Sequence, residues 1–500
     1  MTVIVDRFGW LAVLLAGALA VTAFAPFGWY PLVLFSLAVL FNQWLADTPG
    51  RAFRHGYVFG LGYFGAGISW VYISIHHYGH VPVVPALLVM AGLVAFLSLY
   101  PAAVGYGIRR LLSGASVWAV MVLALPAGWV LSEWVRGWLF SGFPWLTVGS
   151  SQVDSPLSGY APIAGVFGTG LVVAASAGLL LAIARDRRRY LSVGLLVVLW
   201  VGGLLLGRIE WTQPRGAALD VALVQGNIAQ EDKWAPGNLA STLTRYSELT
   251  FALQDVDVVV WPETAIPAFY HQVADNFIPY LETELRAADM TLLTGIPVLD
   301  RDSWKYYNSV ISINATRSFY NKQHLVPYGE YLPLRDVIGN TLDALAVPNA
   351  DFTSGTAGQP LLHAAGYPVA TSICYEVIFG EQVIRDLPEA AMLVNVSNDA
   401  WFGRSLAPHQ HLQMARMRAR ETGRPMLRAT NTGISAIIDY RGNITARSAQ
   451  DKEVVLTGSV IPRQGATPYV RVGNVPVIVV CVALLLVACV TSRKWSGAQV

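Results

Sequence analysis

Five hundred residues exceed one ordinary domain, and the chain is 54% hydrophobic against only 13% charged. Soluble chains carry about a quarter charged residues, so this balance argues against a purely soluble protein. A net charge of +2 with no long basic run argues against a nucleic-acid partner. The three cysteines cannot build a disulfide framework: Cys481 and Cys489 lie in an apolar C-terminal run, which leaves Cys374 as the only thiol of the polar region.

Charge-free apolar runs cover residues 8–24, 30–45, 55–75, 83–108, 117–131, 160–184, 190–207 and 472–490. A helix needs roughly 20 residues to cross about 30 Å of hydrocarbon, and aromatic flanks ease the shorter runs. The expectation is about eight transmembrane helices, seven before a long polar segment and one after it. The first run, followed by Ala23-Phe24-Ala25, imitates a signal peptide with its cleavage site. Against that reading, only Arg7 precedes it, beside Asp6, and further apolar runs follow at once.

Arginines mark alternate loops. Arg51 and Arg54 follow the second run, Arg109 and Arg110 the fourth, Arg185 and Arg187 to Arg189 the sixth, and Arg493 and Lys494 the last. The loops at 25–29 and 75–82 contain no such charges. By the positive-inside rule both termini are cytoplasmic and the long segment is extracytoplasmic. The expected division is a membrane domain at 1–214, a separate extracytoplasmic domain at 215–468, and a last helix with a cytoplasmic tail at 469–500.

Within the long segment, β-branched runs recur at 219–224, 256–261, 291–296, 309–313, 369–373, 392–396 and 434–439. Helical patterns lie between several of them, at 239–253, 273–288 and 409–422. This alternation predicts an α/β or layered α-β-β-α domain with buried sheet.

Three reactive residues follow or end extended runs. Glu263 lies in Trp261-Pro262-Glu263-Thr264, Lys322 in Asn321-Lys322-Gln323-His324, and Cys374 ends Ser372-Ile373-Cys374. Strand ends are where a rigid sheet holds side chains beside variable loops. A thiolate is the attacking species, yet a free cysteine is only a few per cent thiolate near pH 7. A carboxylate can accept its proton and an ammonium can stabilise the oxyanion, so the three types form a complete set. Each taken alone is more often a buried small side chain or a solvated charge.

In this order the segments resemble the Glu-Lys-Cys triad of the nitrilase superfamily. The likeness is closest to its membrane-bound branch, the apolipoprotein N-acyltransferases. It extends to Val224-Gln225-Gly226-Asn227, Lys322-Gln323-His324-Leu325-Val326-Pro327-Tyr328-Gly329-Glu330-Tyr331, Cys374-Tyr375-Glu376, Asn395-Val396-Ser397-Asn398-Asp399-Ala400-Trp401-Phe402-Gly403 and Arg428-Ala429-Thr430-Asn431-Thr432-Gly433. In the membrane half, Glu133-Trp134-Val135-Arg136-Gly137-Trp138 and Gly142-Phe143-Pro144-Trp145 are similar too. The resemblance implies an extracytoplasmic nitrilase-like domain on a polytopic helical membrane domain in a bacterial inner membrane.

It also implies an N-acyltransferase with ping-pong kinetics. Glu263 would be the general base, Lys322 the oxyanion stabiliser, Cys374 the nucleophile and the Tyr375 N–H part of the oxyanion hole. Glu330 would orient the lysine and the amine, and Glu376 would be required in a less defined role. The alternatives are a turn carboxylate for Glu330 and an internal ion-pair partner for Glu376. The implied partners are a phospholipid acyl donor, a diacylated apolipoprotein acceptor and membrane lipid, with no cofactor.

Trp234, Trp401 and Phe402 fall in loops, where they either meet lipid or pack under the loop. Arg136, beside Glu133, is either an interfacial anchor or a headgroup contact. His76-His77-x-x-His80 lacks a carboxylate partner, and His409 and His411 are spaced for a strand or loop rather than a zinc-binding helix. No metal site is expected. Gly60-Leu61-Gly62-Tyr63-Phe64-Gly65 fits a nucleotide-loop pattern formally, but inside an apolar run its glycines suit close helix packing. The rival readings are a membrane-tethered amidase, in which water resolves the thioester, and a transporter or receptor with a sensor domain. The latter would carry intramembrane charges, and these runs have almost none.

Overall fold

Long apolar runs favour helix because a helix satisfies every backbone N–H and C=O internally. All eight runs are helical in the computed structural model, which describes residues 2–235, 237–314, 318–331 and 351–496. Two compact units divide the chain: Met1–Tyr72, Pro82–Ile209 and Arg471–Val500 form one, Ile73–Val81 and Glu210–Val470 the other.

In the first unit, among the described residues, four helices are long and apolar enough to cross a membrane: Val83–Leu111, Val117–Arg136, Pro156–Arg185 and Arg189–Leu206. Gly9–Ala23, Pro31–Ala46 and Val475–Thr491 are shorter apolar helices. The run predicted as one helix over 55–75 is broken instead. Its helix, Pro49–Gly67, stops at Ile68, and a separate helical stretch begins at Val71 and ends in the π-turn Ser74–Tyr78. Counting that broken pair as one span gives five. Gly60 and Gly62 serve packing: an added Cβ would lie 2.6 Å from Ser98 Cα and 2.1 Å from the Leu14 carbonyl oxygen.

The second unit is a four-layer sandwich. One six-stranded sheet runs in the order β13-β2-β3-β4-β5-β6. Its strands are β2 (Leu219–Gln225), β3 (Val258–Val260), β4 (Thr291–Asp300), β5 (Lys305–Ile313), β6 (Phe319–Asn321) and β13 (Val454–Val460). The other runs β12-β11-β10-β9-β8-β7. It is built from β7 (Leu362–Ala364), β8 (Tyr367–Ile373), β9 (Met392–Ser397), β10 (Met426–Thr430), β11 (Ala436–Ile438) and β12 (Ile444–Arg447). A short ribbon pairs β1 (Gln213–Pro214) with β14 (Arg463–Gln464).

Strand periodicity sets the layers. Val221 and Leu223 point inward to meet Val369, Ile373, Val394 and Val396 of the facing sheet. Ala222 and Val224, one residue out of phase, pack under the helices Asn238–Phe251 and Phe277–Ala287 through Leu243, Ile278, Leu281 and Leu285. The helix Ala407–Thr422 covers β10 and β11 from the opposite side. In each sheet the central pairs are parallel, β2–β3–β4 and β8–β9–β10. Such strands are covered on both faces, hence the runs of valine, isoleucine and leucine read in the sequence.

Candidate active site

The parallel strands β3 and β8 and the antiparallel edge strand β6 deliver the candidate residues from their C-terminal ends. Glu263 lies in the turn after β3, and the turn is seated on Gly295 of β4. A Cβ at Gly295 would stand 2.3 Å from the Thr264 nitrogen and 2.7 Å from Glu263 Cα, so only glycine permits this approach. Lys322 follows β6, with its N–H bonded to the Asn308 carbonyl at 2.8 Å. Cys374 follows β8 directly and has φ 51°, a left-handed backbone that costs a non-glycine residue about 1–2 kcal/mol. The turn Cys374–Ile378 follows it.

Hydrogen bonds then fix the side chains. The Glu263 carboxylate accepts from Asn308 Nδ2 at 2.7 Å and from the Asn398 N–H at 2.9 Å. Lys322 Nζ lies 3.8 Å from Glu263 Oε1 and donates to Glu330 Oε1 at 2.8 Å. Asn308 Nδ2 also reaches Glu330 Oε1, at 3.1 Å, and the Val326 N–H donates to Glu330 Oε2 at 2.8 Å. Lys322 is 1% exposed and Glu263 8%. An unpaired charge at such burial would be costly, so the ammonium sits between two carboxylates. Burial pulls the Lys322 pKa down, but Glu330, then Glu263 and Cys374, outweigh it and hold it above the ordinary lysine value. Burial and then the Glu263 charge push the Cys374 thiol up to about 12, against the opposing pull of Lys322. The resting sulfur is therefore a thiol.

Glu376 is fully buried and gathers the loop around the nucleophile. Its carboxylate accepts from the N–H groups of Ile373 (2.8 Å), Gln323 (2.7 Å) and His324 (3.0 Å), and from Gln382 Nε2 (2.7 Å) and Tyr320 Oη (3.0 Å). It ties the residue before Cys374 to the two residues after Lys322. Burial raises its pKa against those backbone donors and Lys322. Tyr375, also buried, sets its ring against Phe379.

Sequence reasoning missed Asn308, Gly295 and the role of His411, and quoted Asn398, Asp399 and Arg428 only as parts of motifs, without a role. Asn308 carries no periodic or motif signal; only the pairing of β5 with β6 places it under both carboxylates. Behind the nucleophile, His411 Nε2 donates to the Cys374 carbonyl at 3.1 Å, and its Nδ1 faces Arg428 Nη2 at 3.0 Å and Asp399 Oδ1 at 3.2 Å. Burial and then Arg428 lower the His411 pKa, which fits a neutral ring protonated on Nε2 and accepting from Arg428 at Nδ1. Arg428 also donates to Asp399 Oδ2 at 2.9 Å. The helix expected at 409–422 is present as Ala407–Thr422, where a two-residue spacing puts His409 and His411 on different faces.

The loop aromatics are placed as follows. Trp234 is 54% exposed and Trp401 37%. The Trp401 carbonyl accepts from the Ser74 hydroxyl at 2.7 Å, and its ring meets Tyr78 edge-on. Phe402 is partly buried with its ring edge-on to His411. Arg136 is buried in the membrane unit and donates to the carbonyls of Phe143 (2.6 Å) and Trp145 (2.5 Å), so these contacts are with protein. Glu133 beside it accepts from the Val148 N–H at 2.9 Å. Among the described residues, no cluster of three His, Cys, Asp or Glu side chains could hold a metal ion.

This geometry coincides with two family matches. The apolipoprotein N-acyltransferase N-terminal domain matches residues 16–179, and the carbon-nitrogen hydrolase family matches residues 220–468. An apolipoprotein N-acyltransferase of Methylococcus capsulatus is 47% identical over 97% of this chain and 96% of its own. The chain belongs to the apolipoprotein N-acyltransferases. The Nitrosomonas europaea member is 43% identical over 96% of this chain and 97% of its own. Saccharomyces cerevisiae Nit3, a solved member of branch 10 of the nitrilase superfamily, is similar over 51% of this chain and 93% of its own. That pair shares 19% identity, with a TM-score of 0.39. By the family match at 220–468 the second unit is a nitrilase-like carbon-nitrogen hydrolase domain, and by its relatives the protein is an acyltransferase.

Proposed function

We propose that the protein transfers an acyl chain from a membrane phospholipid, through a thioester on Cys374, to the N-terminal α-amino group of the diacylglyceryl-cysteine of apolipoproteins. The observation that carries this reading is the buried arrangement of Lys322 between Glu263 and Glu330 at the Cys374 strand end. With the thiol raised to about 12, a preformed thiolate is scarce, so the proton must leave as attack proceeds. Glu263 takes the proton from Sγ, and the sulfur attacks the ester carbonyl carbon. Lys322 and the Tyr375 N–H stabilise the oxyanion. The C–O bond breaks, and the lysophospholipid leaves with the proton returned by Glu263. The acceptor amine then attacks the thioester and the C–S bond breaks. The amine's proton passes through Glu263 to the sulfur as the amide forms.

Glu330 holds the Lys322 ammonium, and Glu376 maintains the backbone that aims Cys374. Trp234 and Trp401 are assigned to lipid or substrate contact because they present exposed rings, and Phe402 and Arg136, which meet protein groups, to packing. The apolar helices are read as eight spans in the bacterial inner membrane, with both termini cytoplasmic and residues 215–468 periplasmic. The membrane portion is 1–214, and 469–500 is the last span and tail. An anchored enzyme of this kind meets both lipid-tethered substrates at the membrane surface.

The test is mass spectrometry of enzyme incubated with phospholipid alone. An acyl adduct on Cys374, released by hydroxylamine and absent from Cys374→Ala, is expected. Rapid release of free fatty acid, unaffected by an acceptor, would instead identify a hydrolase.

A further inference from the structure

Lys233 is a buried cation that the transfer chemistry above does not use. It lies in the turn after β2 and is 5% exposed. Its Nζ donates to the main-chain carbonyl of Glu263 at 3.1 Å. The same turn reaches the Glu263 carboxylate by a second route. Gln230 Oε1 accepts from Asn398 Nδ2 at 2.7 Å, and the Asn398 N–H donates to Glu263 Oε2 at 2.9 Å. The next residue is Trp234, whose ring is exposed. A methionine would fill this space without desolvating an ammonium, so burial of a charge here requires a return elsewhere.

We infer that Lys233 is a positioning residue for acyl transfer, whose ammonium locks the Glu263 turn to the Trp234 turn and keeps the carboxylate aimed at Cys374. The inference rests on the reading of Glu263 as the base. A carbonyl alone could be served by a neutral amine. The positive charge adds attraction between Lys233 and the Glu263 carboxylate. Glu263 is the charged group that acts on Lys233; Glu231 and Asp232 of its own turn are exposed, and Gln230 and Asn398 are neutral. Burial lowers the Lys233 pKa to about 8, with Glu263 opposing the fall. The lock therefore weakens as pH rises through that value.

The experiment measures single-turnover acylation of Cys374 by phospholipid across pH 6–10. It uses the full-length enzyme, Lys233→Met, Lys233→Arg and Glu263→Gln, with thermal unfolding as a check on the fold. A displaced base typically reduces the rate by one to two orders of magnitude. Lys233→Met is therefore expected to be slowed about tenfold or more at pH 7 and to lack the alkaline limb near pH 8. Lys233→Arg should return to within about threefold of the native rate and shift that limb upward, because guanidinium stays charged. Native-like acylation by Lys233→Met, or a loss with an unchanged pH profile, overturns the inference. If Lys233→Met does not fold, an unmoved alkaline limb in Lys233→Arg overturns it. A native rate in Glu263→Gln would remove the base assignment itself, whereas an inactive Glu263→Gln beside a fully active Lys233→Met would remove only the role of Lys233.

Discussion

Gly295→Ala should inactivate the enzyme without touching any group that reacts. The added methyl would lie 2.3 Å from the Thr264 nitrogen and 2.7 Å from both Glu263 Cα and the Pro262 carbonyl oxygen, where ordinary contact begins at 3.4 Å. All three neighbours are backbone atoms, so no side chain can rotate away. Relief requires the Glu263 turn and β4 to separate by about 1 Å. The turn resists, because the Gly295 N–H donates to the Pro262 carbonyl and the Ile266 N–H to the Gly295 carbonyl. Overpacking of this kind destabilises by about 1–3 kcal/mol. The larger effect falls on the chemistry. The Glu263 carboxylate is held by Asn308 and Asn398, so moving its backbone by about 1 Å breaks that geometry and lowers the rate about a hundredfold. Single-turnover acylation of Cys374 reads the rate, and thermal unfolding shows that the fold survives. A folded Gly295→Ala enzyme acylated within about twofold of native would refute the claim that this contact positions the base.

Glu263→Ala, Lys322→Ala and Cys374→Ala should each abolish turnover, and a double substitution should be scarcely worse than a single one because the three act as a unit; near-normal turnover of Lys322→Ala would refute the oxyanion role. With its thiol raised to about 12, Cys374 should react with iodoacetamide at pH 7.5 at least about a hundredfold more slowly than free cysteine. The alkylation rate should climb with pH throughout, and a plateau near pH 8 would contradict it. Asp399→Asn would leave the fully buried Arg428 without its counter-ion. The expected loss is about 3–5 kcal/mol, or about 10 °C in Tm. Burial alone would raise the Asp399 carboxyl, but Arg428, helped by the Ser397 hydroxyl that donates to it, outweighs burial and holds it well below the usual range. Its stabilisation is thus present above the unfolded carboxylate pKa of about 4 and is lost as pH falls below it. The Asn variant should show a flatter acid-unfolding curve. Reporter fusions at Gly237 and Arg187 should read outside and inside respectively, and the reverse would overturn the orientation.

The seven strand runs read from the sequence are all strands, and their limits mostly move by two residues or fewer. These are the strands whose apolar character survives burial on both faces. Others gave no such signal. β13 is a half-exposed edge strand with alternating small and polar residues in Leu456-Thr457-Gly458-Ser459. β10 is fully buried yet carries Arg428 and Thr430, since Asp399, from a distant segment, and Ser435, five residues on, satisfy them. Within the apolar half, hydrophobicity identified the helices but not the break after Gly67, because a run of apolar letters does not record where the backbone turns.

The chemistry-bearing residue types were legible because they are local: a carboxylate, an ammonium and a thiol each end an extended run, inside motifs that resemble those of a family. Their mutual placement is not local. Glu263, Lys322 and Cys374 follow β3, β6 and β8, and only the stacking of two sheets puts them at one end of one sandwich. The same holds for Asn308 and Asn398, which meet on the Glu263 carboxylate, and for Lys233, which meets the main-chain carbonyl of the same residue. Glu376 was recognisable by its position after Cys374, yet its work was decided by tertiary structure, which brings the N–H groups of Gln323 and His324 onto an acid 52 and 53 residues away. Sequence pattern fixes which face of a strand is buried, since that follows from a two-residue period. Which buried polar atoms meet depends on long-range packing, where hydrogen-bonding needs are met by whatever the fold brings within about 3 Å.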